Sequence, residues 1–265
     1  MTPIYLSNYL ASYQNTAEIN DRVFTEFTAN TDQIDYLKAH RDFVEMNKLG
    51  FGDRAFHFMW YLILKSLGAE KKQVDALEIG VFKGQVISLW ALISKNESLE
   101  VNLSGITPLE GNPSYKNKLL NKIFSIFSAK YREDKAAGNF YDDVNYLTLI
   151  QSLFTRFNLD FGKVSLHKGY SNAPEILERT KDSMYDLIYV DGDHSYNGAL
   201  FDLQHYGPKI RLNGLLVVDD ASCNIPGTVF WKGHQSVSDA CNSIDATKFA
   251  NVLNVGHNRV FRRIA

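Results

Sequence analysis

Short apolar runs and longer amphipathic stretches alternate along most of the chain. The runs are rich in Val, Ile, Leu and Tyr, and they occur at Val74–Ile79, Val101–Ile106, Val164–His167, Tyr185–Val190 and Leu215–Val218. Short apolar runs of this kind are typical of strands buried on both faces of a parallel sheet. Because stretches with helical spacing separate them, the pattern predicts an α/β fold with a doubly wound, Rossmann-like and mostly parallel sheet.

The end of the chain predicts a different strand pairing. Two further strand-like segments, Phe249–Val255 and Arg259–Ile264, are joined by a short turn at Gly256-His257-Asn258. A connection this short joins antiparallel strands. We therefore expect a C-terminal antiparallel hairpin at the edge of the sheet.

Two other stretches carry helical patterns. Residues 1–70 show no strand pattern, and we expect one helix at Asp32–Leu49 and a second that Asp53 caps. Residues from about 112 to 162 are too many for one crossover and predict a helical insertion of the kind that often forms a lid. The sequence thus predicts an N-terminal helical segment (1–70), serving as a cover or dimer contact, and a main domain (71–265) that contains the insertion.

Carboxylates follow two of the predicted strands. Asp191 follows the fourth run, Asp219 and Asp220 follow the fifth, and the separation of 219 − 191 = 28 residues is about one strand–helix–strand unit. The acids should therefore meet at the ligand-binding edge of the sheet, where close carboxylates repel one another unless a cation lies between them. This predicts a hard divalent metal, with His194 beside it and Asp193 as a helix N-cap.

Glycines follow the first predicted strand. Glu78 ends this strand, Gly80 and Gly84 follow, and a helix starts near Gln85. Gly80 allows the backbone to approach a ligand, and Gly84 allows the helix to pack closely on the strand. The acid at Glu78 disfavours a phosphate-binding loop and favours a cationic or hydroxyl-bearing ligand.

Composition and charge exclude several classes of function. The net charge of −2 gives no indication of a nucleic-acid partner, and the two cysteines are too few for a zinc site or a disulfide framework. No apolar stretch approaches the roughly 20 residues that span a bilayer. The N-terminus lacks the features of a signal peptide, so we expect a cytoplasmic protein without a membrane partner.

From about residue 74 onwards the chain resembles the class I S-adenosylmethionine-dependent methyltransferases. More narrowly, it is similar to the metal-dependent small-molecule O-methyltransferases of the macrocin/mycinamicin type. The residues that carry this resemblance are Glu78 to Gly84, Asp191 to Tyr196, and Asp219-Asp220. The resemblance implies S-adenosyl-L-methionine and Mg²⁺, or another hard divalent cation, as cofactors.

The resemblance also implies roles for individual residues. His194 falls at the position of the general base, and Asp191, Asp219 and Asp220 fall at those of the metal ligands. The expected cofactor-binding residues are Glu78, Gly80, Val81, Gly84, Thr107, Ser171 and Asp191. Thr107 departs from the family, which usually has an acid there to hold the ribose, so Glu110 is an alternative.

The expected activity is transfer of a methyl group to a hydroxyl of a small molecule, such as a sugar or a glycosylated natural product. The protein can also be a homo-oligomer through its N-terminal helices. Two alternatives stay open. Asp191-Gly192-Asp193 also matches the Asp-x-Asp motif of metal-dependent glycosyltransferases, and the fold can be that of a non-catalytic relative.

Overall fold

A computed structural model describes residues 5–109, 118–129, 131–132 and 144–265. In this part of the chain, seven strands form one sheet in the order β3-β2-β1-β4-β5-β7-β6. The first five are parallel, and β7 is antiparallel to both of its neighbours, β5 and β6. The strands are β1 Val74–Ile79, β2 Val101–Thr107, β3 Val164–Lys168, β4 Tyr185–Val190, β5 Ile210–Val218, β6 Phe249–Val255 and β7 Asn258–Arg263. The predicted Rossmann-like sheet and its C-terminal hairpin are confirmed.

Helices precede the sheet and connect its strands. They are α1 Leu6–Ser12, α2 Ala17–Gln33, α3 Asp35–Asn47, α4 Ala55–Glu70, α5 Gln85–Asn96, α6 Lys118–Phe127, α7 Tyr146–Arg156, α8 Pro174–Thr180, α9 Tyr196–Tyr206 and α10 Gln235–Cys241. Helices α6 and α7 belong to the predicted insertion, parts of which lie outside the described residues. The buried Ile150 of α7 lies against Gly84, at the start of α5.

The central strands are aligned at their carboxyl ends. Ile79, the last residue of β1, pairs with Val190 of β4, which pairs in turn with Val218 of β5. This register confirms that β4 and β5 are neighbours. The residues that follow the three strands, Gly80, Asp191 and Asp219, therefore emerge at one edge of the sheet.

Alternate side chains of β4 build two separate apolar layers. Tyr189 points to the face covered by α4 and α5, where its ring contacts Trp60 at 4.9 Å and Trp90 at 6.5 Å between centroids. Val190 points to the opposite face, which is covered by α8, α9 and α10. Helix α4 is apolar nearly all round and is buried between the sheet and α2, so the N-terminal segment supplies part of the core.

Two details of the N-terminal segment differ from expectation. The predicted helix Asp32–Leu49 is interrupted at Ile34, where α2 ends and α3 begins. Asp53 does not cap α4, because the helix begins at Ala55 without a side-chain cap. The Asp53 carboxylate instead lies 3.6 Å from Nδ1 of His257. Among the described residues, no helix combines the length and apolar character needed to cross a membrane.

Gly80 is required by the crossing of two chain segments. Its φ is +97°, and a Cβ atom there would lie 1.8 Å from the carbonyl oxygen of Asp191. We expect Gly80→Ala to lower the free energy of unfolding by about 2–4 kcal/mol, since it adds both backbone strain and overpacking. Urea denaturation measures this loss. The matched control is Gly207→Ala, where a Cβ meets nothing within 4 Å; equal losses in both variants would contradict the argument.

Candidate active site

Three carboxylates meet at the edge of the sheet, as the sequence predicts. The backbone N–H of Asp191 donates to Ile79 O at 2.8 Å, and that of Asp219 donates to Val190 O at 3.0 Å. These bonds continue the parallel pairing one residue beyond the strands. Asp220 then adopts a left-handed conformation (φ 53°) and is almost fully buried. The chain turn thus places two consecutive carboxylates beside Asp191.

Histidines surround these acids. His194 Nε2 lies 3.5 Å from Asp191 Oδ1 and 3.5 Å from Asp220 Oδ2. The ring of His234 stacks on that of His194, with 5.0 Å between centroids, and its Nε2 lies 3.6 Å from Asp220 Oδ2. On the other side, His257 Nε2 lies 3.4 Å from Asp219 Oδ1 and 3.6 Å from Asp220 Oδ1.

Burial of this much negative charge shifts the proton affinities. Desolvation, and then the Asp219 charge, raise the pKa of Asp191 to about 7. The same two causes raise the pKa of Asp220 to about 8. Burial acts against a charged His194, but the hydrogen bond and charge of Asp191 outweigh it and raise the pKa of His194 to about 9. The site therefore holds protons more tightly than isolated side chains do, and it favours a cation.

The donor atoms fit a divalent cation. Two groups have ligand atoms within 4.8 Å of one another: Asp219, Asp220 and His257, and Asp220, His194 and His234. Oδ1 of Asp219 is buried without a hydrogen-bond partner among the described residues. Asp219 and Asp220 were expected as ligands, whereas Asp191 lies beside the two groups rather than in either.

The contribution of His257 was missed in the sequence. Its position in a predicted hairpin turn indicates only a structural role. The predicted hairpin could have indicated that His257 reaches the site, because β7 runs antiparallel to β5. The turn that precedes β7 must therefore return to the edge where β5 ends. His257 is buried there between the rings of Phe56 and Trp231.

A cavity of about 290 Å³ opens beside the acids, on the face covered by α4 and α5. Its lining includes four carboxylates, from Glu78, Asp191, Asp219 and Asp220. Among the described residues, no Lys or Arg lines it. Desolvation, and then the Asp191 charge, raise the pKa of Glu78 well above its usual range. The cavity is therefore built to receive positive charge.

Aromatic side chains of the N-terminal segment also line this cavity. Phe51, Phe56 and Trp60 come from the loop before α4 and from α4 itself. Phe51 is 80% exposed and stacks on Phe82 at 5.6 Å between centroids. The segment is thus both a packed layer of the core and a wall of the cavity.

The predicted cofactor residues divide into two sets. Glu78, Gly80, Val81 and Asp191 line the cavity. Gly84, Thr107 and Ser171 do not. The Thr107 hydroxyl accepts a hydrogen bond from Leu109 N at 3.3 Å, and the Ser171 carbonyl accepts one from the Tyr206 hydroxyl at 2.7 Å.

Two further predicted roles, those of Glu110 and Asp193, have different outcomes. Glu110, the alternative ribose acid, lies outside the described residues. Asp193 is not the N-cap of α9; Ser195 is, with its hydroxyl accepting from Gly198 N at 3.1 Å. Asp193 instead accepts from Ser195 N at 2.8 Å, one step before the helix.

Asp202 is a buried acid that sequence reasoning did not select. It lies on α9, where a Cβ added to Gly192 would lie 3.1 Å from its Oδ2, and its Oδ1 has no hydrogen-bond partner among the described residues. Burial raises its pKa to about 7, although a hydrogen bond with Ser171 acts in the opposite direction. Asp202 thus joins the loop after β4 to the loop after β3.

Comparison with known proteins identifies the class. Residues 77–221, more than half of the chain, match a family described as a methyltransferase domain. The chain belongs to this family. The match begins inside β1 and ends just after Asp220, so it spans the acidic edge of the sheet.

The chain is also similar to one curated protein and to several solved structures. An uncharacterised protein, R132, of Acanthamoeba polyphaga mimivirus is 26% identical over 191 residues, which cover 71% of this chain and 67% of that protein. A putative caffeoyl-CoA O-methyltransferase from Staphylococcus aureus superposes with a TM-score of 0.57 at 16% identity, covering 92% of this chain and 99% of that one. An O-methyltransferase from Bacillus cereus, solved with SAH, gives 0.51 at 11% identity, covering 88% and 91%. These likenesses establish the class I methyltransferase fold.

The buried acid on α9 predicts a specific pH dependence. The folded protein keeps a proton on Asp202 up to about pH 7, whereas the unfolded chain releases it near 3.8. Stability is therefore lost as the pH rises through this window. We expect Asp202→Asn, which has no proton to release, to gain stability relative to wild type between about pH 4 and 7 and to hold that gain above pH 7.

Urea denaturation at a series of pH values tests this expectation. The exposed Asp239 provides the control, because Asp239→Asn should retain the wild-type pH dependence. A constant difference in stability between Asp202→Asn and wild type at all pH values would show that Asp202 does not hold the proton.

Proposed function

We propose that the protein is an S-adenosyl-L-methionine-dependent O-methyltransferase that acts on a hydroxylated small molecule. The observation that carries this proposal is the charge of the cavity, where four carboxylates and no Lys or Arg among the described residues line one space. S-adenosylmethionine brings a sulfonium and an ammonium group, both cationic, and so matches this charge. The family membership and the SAH-bound neighbour support the same cofactor.

A hard divalent cation such as Mg²⁺ is the second part of the proposal. Asp219 and Asp220 would hold it, with His257 and Asp191 beside them, because these groups concentrate unmatched negative charge at one point. When bound, such an ion lowers the pKa of a hydroxyl and orients it. The chain itself contributes the carboxylates, their burial and the aromatic walls that exclude water.

His194 is the proposed general base. Its Nε2 lies 3.5 Å from carboxylate oxygens of Asp191 and Asp220, and the residue lines the cavity. A bound cation would offset the negative charge that raises the pKa of His194, which would leave a neutral ring able to take a proton from a hydroxyl at the acidic edge. Asp191 and Asp220 stabilise the imidazolium that results. The neighbouring ring of His234 restricts the His194 ring by stacking on it.

The mouth of the cavity favours an acceptor with a broad apolar face. Phe51 and Trp231 are 80% and 56% exposed although they line a cavity, and Phe82 stacks on Phe51. Exposed aromatic rings at a cavity mouth bind flat groups through their faces. A sugar ring or a glycosylated natural product fits this description, since such molecules present C–H faces and hydroxyls together.

The glycosyltransferase alternative is less well supported. It needs Asp193 as a metal ligand, but the Asp193 carboxylate accepts a hydrogen bond from Ser195 N and does not belong to either donor group. A diphosphate would also enter a cavity that offers four carboxylates and, among the described residues, no basic side chain other than histidine.

Calorimetric titration with the two ligand classes tests the proposal. We expect S-adenosylmethionine and S-adenosylhomocysteine to bind and nucleotide sugars to give no heat. Binding of a nucleotide sugar alone would favour the glycosyltransferase. If no ligand binds, the chain is a non-catalytic member of the family.

Metal binding is measured separately by thermal unfolding. A cation that binds only the folded state raises its melting temperature. We expect Mg²⁺ or Mn²⁺ to stabilise the wild-type protein and Asp239→Asn equally, and to have little effect on Asp219→Asn. A metal-induced shift that survives in Asp219→Asn would contradict the assigned site.

A further inference from the structure

Behind the cavity, two histidines and a serine form a buried hydrogen-bonded chain that the proposed mechanism does not use. His57 Nε2 lies 2.9 Å from His40 Nδ1, and His40 Nε2 lies 3.0 Å from Ser88 Oγ. The two rings are 1% and 0% exposed. Both histidines come from the N-terminal helices, outside the residues that match the family.

The hydrogen bonds of this chain fix the tautomer of each ring. The Ser88 hydroxyl donates to the carbonyl oxygen of Gln85 at 3.1 Å, so its oxygen is left to accept from His40 Nε2–H. His40 Nδ1 then carries a lone pair and accepts from His57 Nε2–H. The remaining nitrogen, His57 Nδ1, is therefore an acceptor. Burial lowers the pKa of His40 to about 3 and that of His57 well below its usual value, so both rings stay neutral.

His57 Nδ1 has no hydrogen-bond partner among the described residues. The atom is buried, and His57 lines the cavity. A buried acceptor without a partner loses its hydration and gains nothing in return. A ligand that donates a hydrogen bond at this point would restore the missing interaction.

A second unmatched acceptor lies on the same face of the sheet. Glu78 Oε2 is buried without a partner in the described part of the chain, and it also lines the cavity. Glu78 is paired across the sheet with Tyr189, whose ring packs on Trp60. Trp60 follows His57 by one turn of α4, so His57 and Glu78 lie in the same region of this face. His40 and Glu78 also contact consecutive residues of α5, through the Ser88 side chain and the backbone of Ile87.

We propose that His57 accepts a hydrogen bond from the α-ammonium group of the cofactor, with His40 and Ser88 as positioning residues. His57 would act beside Glu78, which the family resemblance already assigns to cofactor binding. The inference rests on the proposed function, because it takes S-adenosylmethionine as the ligand. An ammonium group carries three N–H donors and a positive charge, which match a fixed neutral acceptor and a carboxylate. The sulfonium has charge but no N–H donor, and a neutral hydroxyl brings no positive charge to favour the ionised form of Glu78.

Two neutral-sulfur ligands separate this subsite from the rest of the cavity. S-adenosylhomocysteine contains the amino-acid part, whereas 5′-methylthioadenosine lacks it. We expect His57→Phe to weaken binding of S-adenosylhomocysteine about tenfold or more, as loss of a charge-assisted hydrogen bond implies, and to leave binding of methylthioadenosine unchanged. Isothermal titration calorimetry measures both affinities.

The matched control is His205→Phe. His205 also has a buried ring nitrogen without a partner among the described residues, but it lies on α9 outside the cavity lining, with its ring stacked on Phe201. This variant should bind both ligands as wild type does. Ser88→Ala is a smaller change that tests the hydrogen-bonded chain if His57→Phe does not fold. We expect it to weaken S-adenosylhomocysteine binding several-fold and to leave methylthioadenosine binding unchanged.

Long-range ¹H–¹⁵N correlation spectra of the histidine rings give a readout that does not depend on activity. We expect the signals that disappear in His57→Phe to show a neutral ring with the proton on Nε2, and this preference to weaken in Ser88→Ala. A His57 ring protonated on Nδ1 would overturn the inference.

The binding data distinguish failure of this inference from failure of the proposed function. The inference is wrong if the folded variants bind S-adenosylhomocysteine as wild type does, or if both ligands weaken equally. If the wild-type protein binds neither ligand, the proposed cofactor is wrong. The subsite proposal is then wrong too, whatever the histidine spectra show.

Discussion

Buried negative charge is the constraint on which the functional part of this protein depends. Asp191, Asp219 and Asp220 meet because three parallel strands end in register, and Glu78 lies on the same face of the sheet. Desolvation makes each of these charges costly, and their proximity adds repulsion. The histidines reduce that cost by approaching the acids, but they do not remove it: one oxygen each of Glu78 and Asp219 has no hydrogen-bond partner in the described part of the chain.

The N-terminal helices contribute to the environment of these buried acids in two ways. They supply apolar cover, since Trp60 packs directly on Tyr189 beneath the acids. Polar groups of the N-terminal segment reach the same space: Asp53, in the loop before α4, lies beside His257, and His57 of α4 lines the cavity. Core packing and ligand binding are therefore properties of the same helix, α4, and a substitution on its inner face would affect both.

Much of the fold and part of the site could be predicted from local pattern. The central strands after residue 74 were recognisable because strands buried on both faces are predominantly apolar, as the run Leu215–Val218 illustrates. Asp191 and Asp219 could be brought together because the chain length between them matches one strand–helix–strand unit. Helix boundaries were less predictable: the break at Ile34 and the uncapped start at Ala55 depend on packing against neighbouring helices, which no local pattern encodes.

The sequence by itself determined that β4 and β5 are neighbours, that acids meet at their ends and that a glycine is needed at Gly80, because each follows from periodicity, spacing or backbone sterics. The tertiary structure alone decided which residues distant in the chain complete the site. His257 reaches Asp219 only because the terminal hairpin folds back along β5, and His57 faces the cavity only because α4 lies across β1 and β4. Contacts between residues so far apart arise from the packing of whole elements, and the local pattern of the chain carries no record of them.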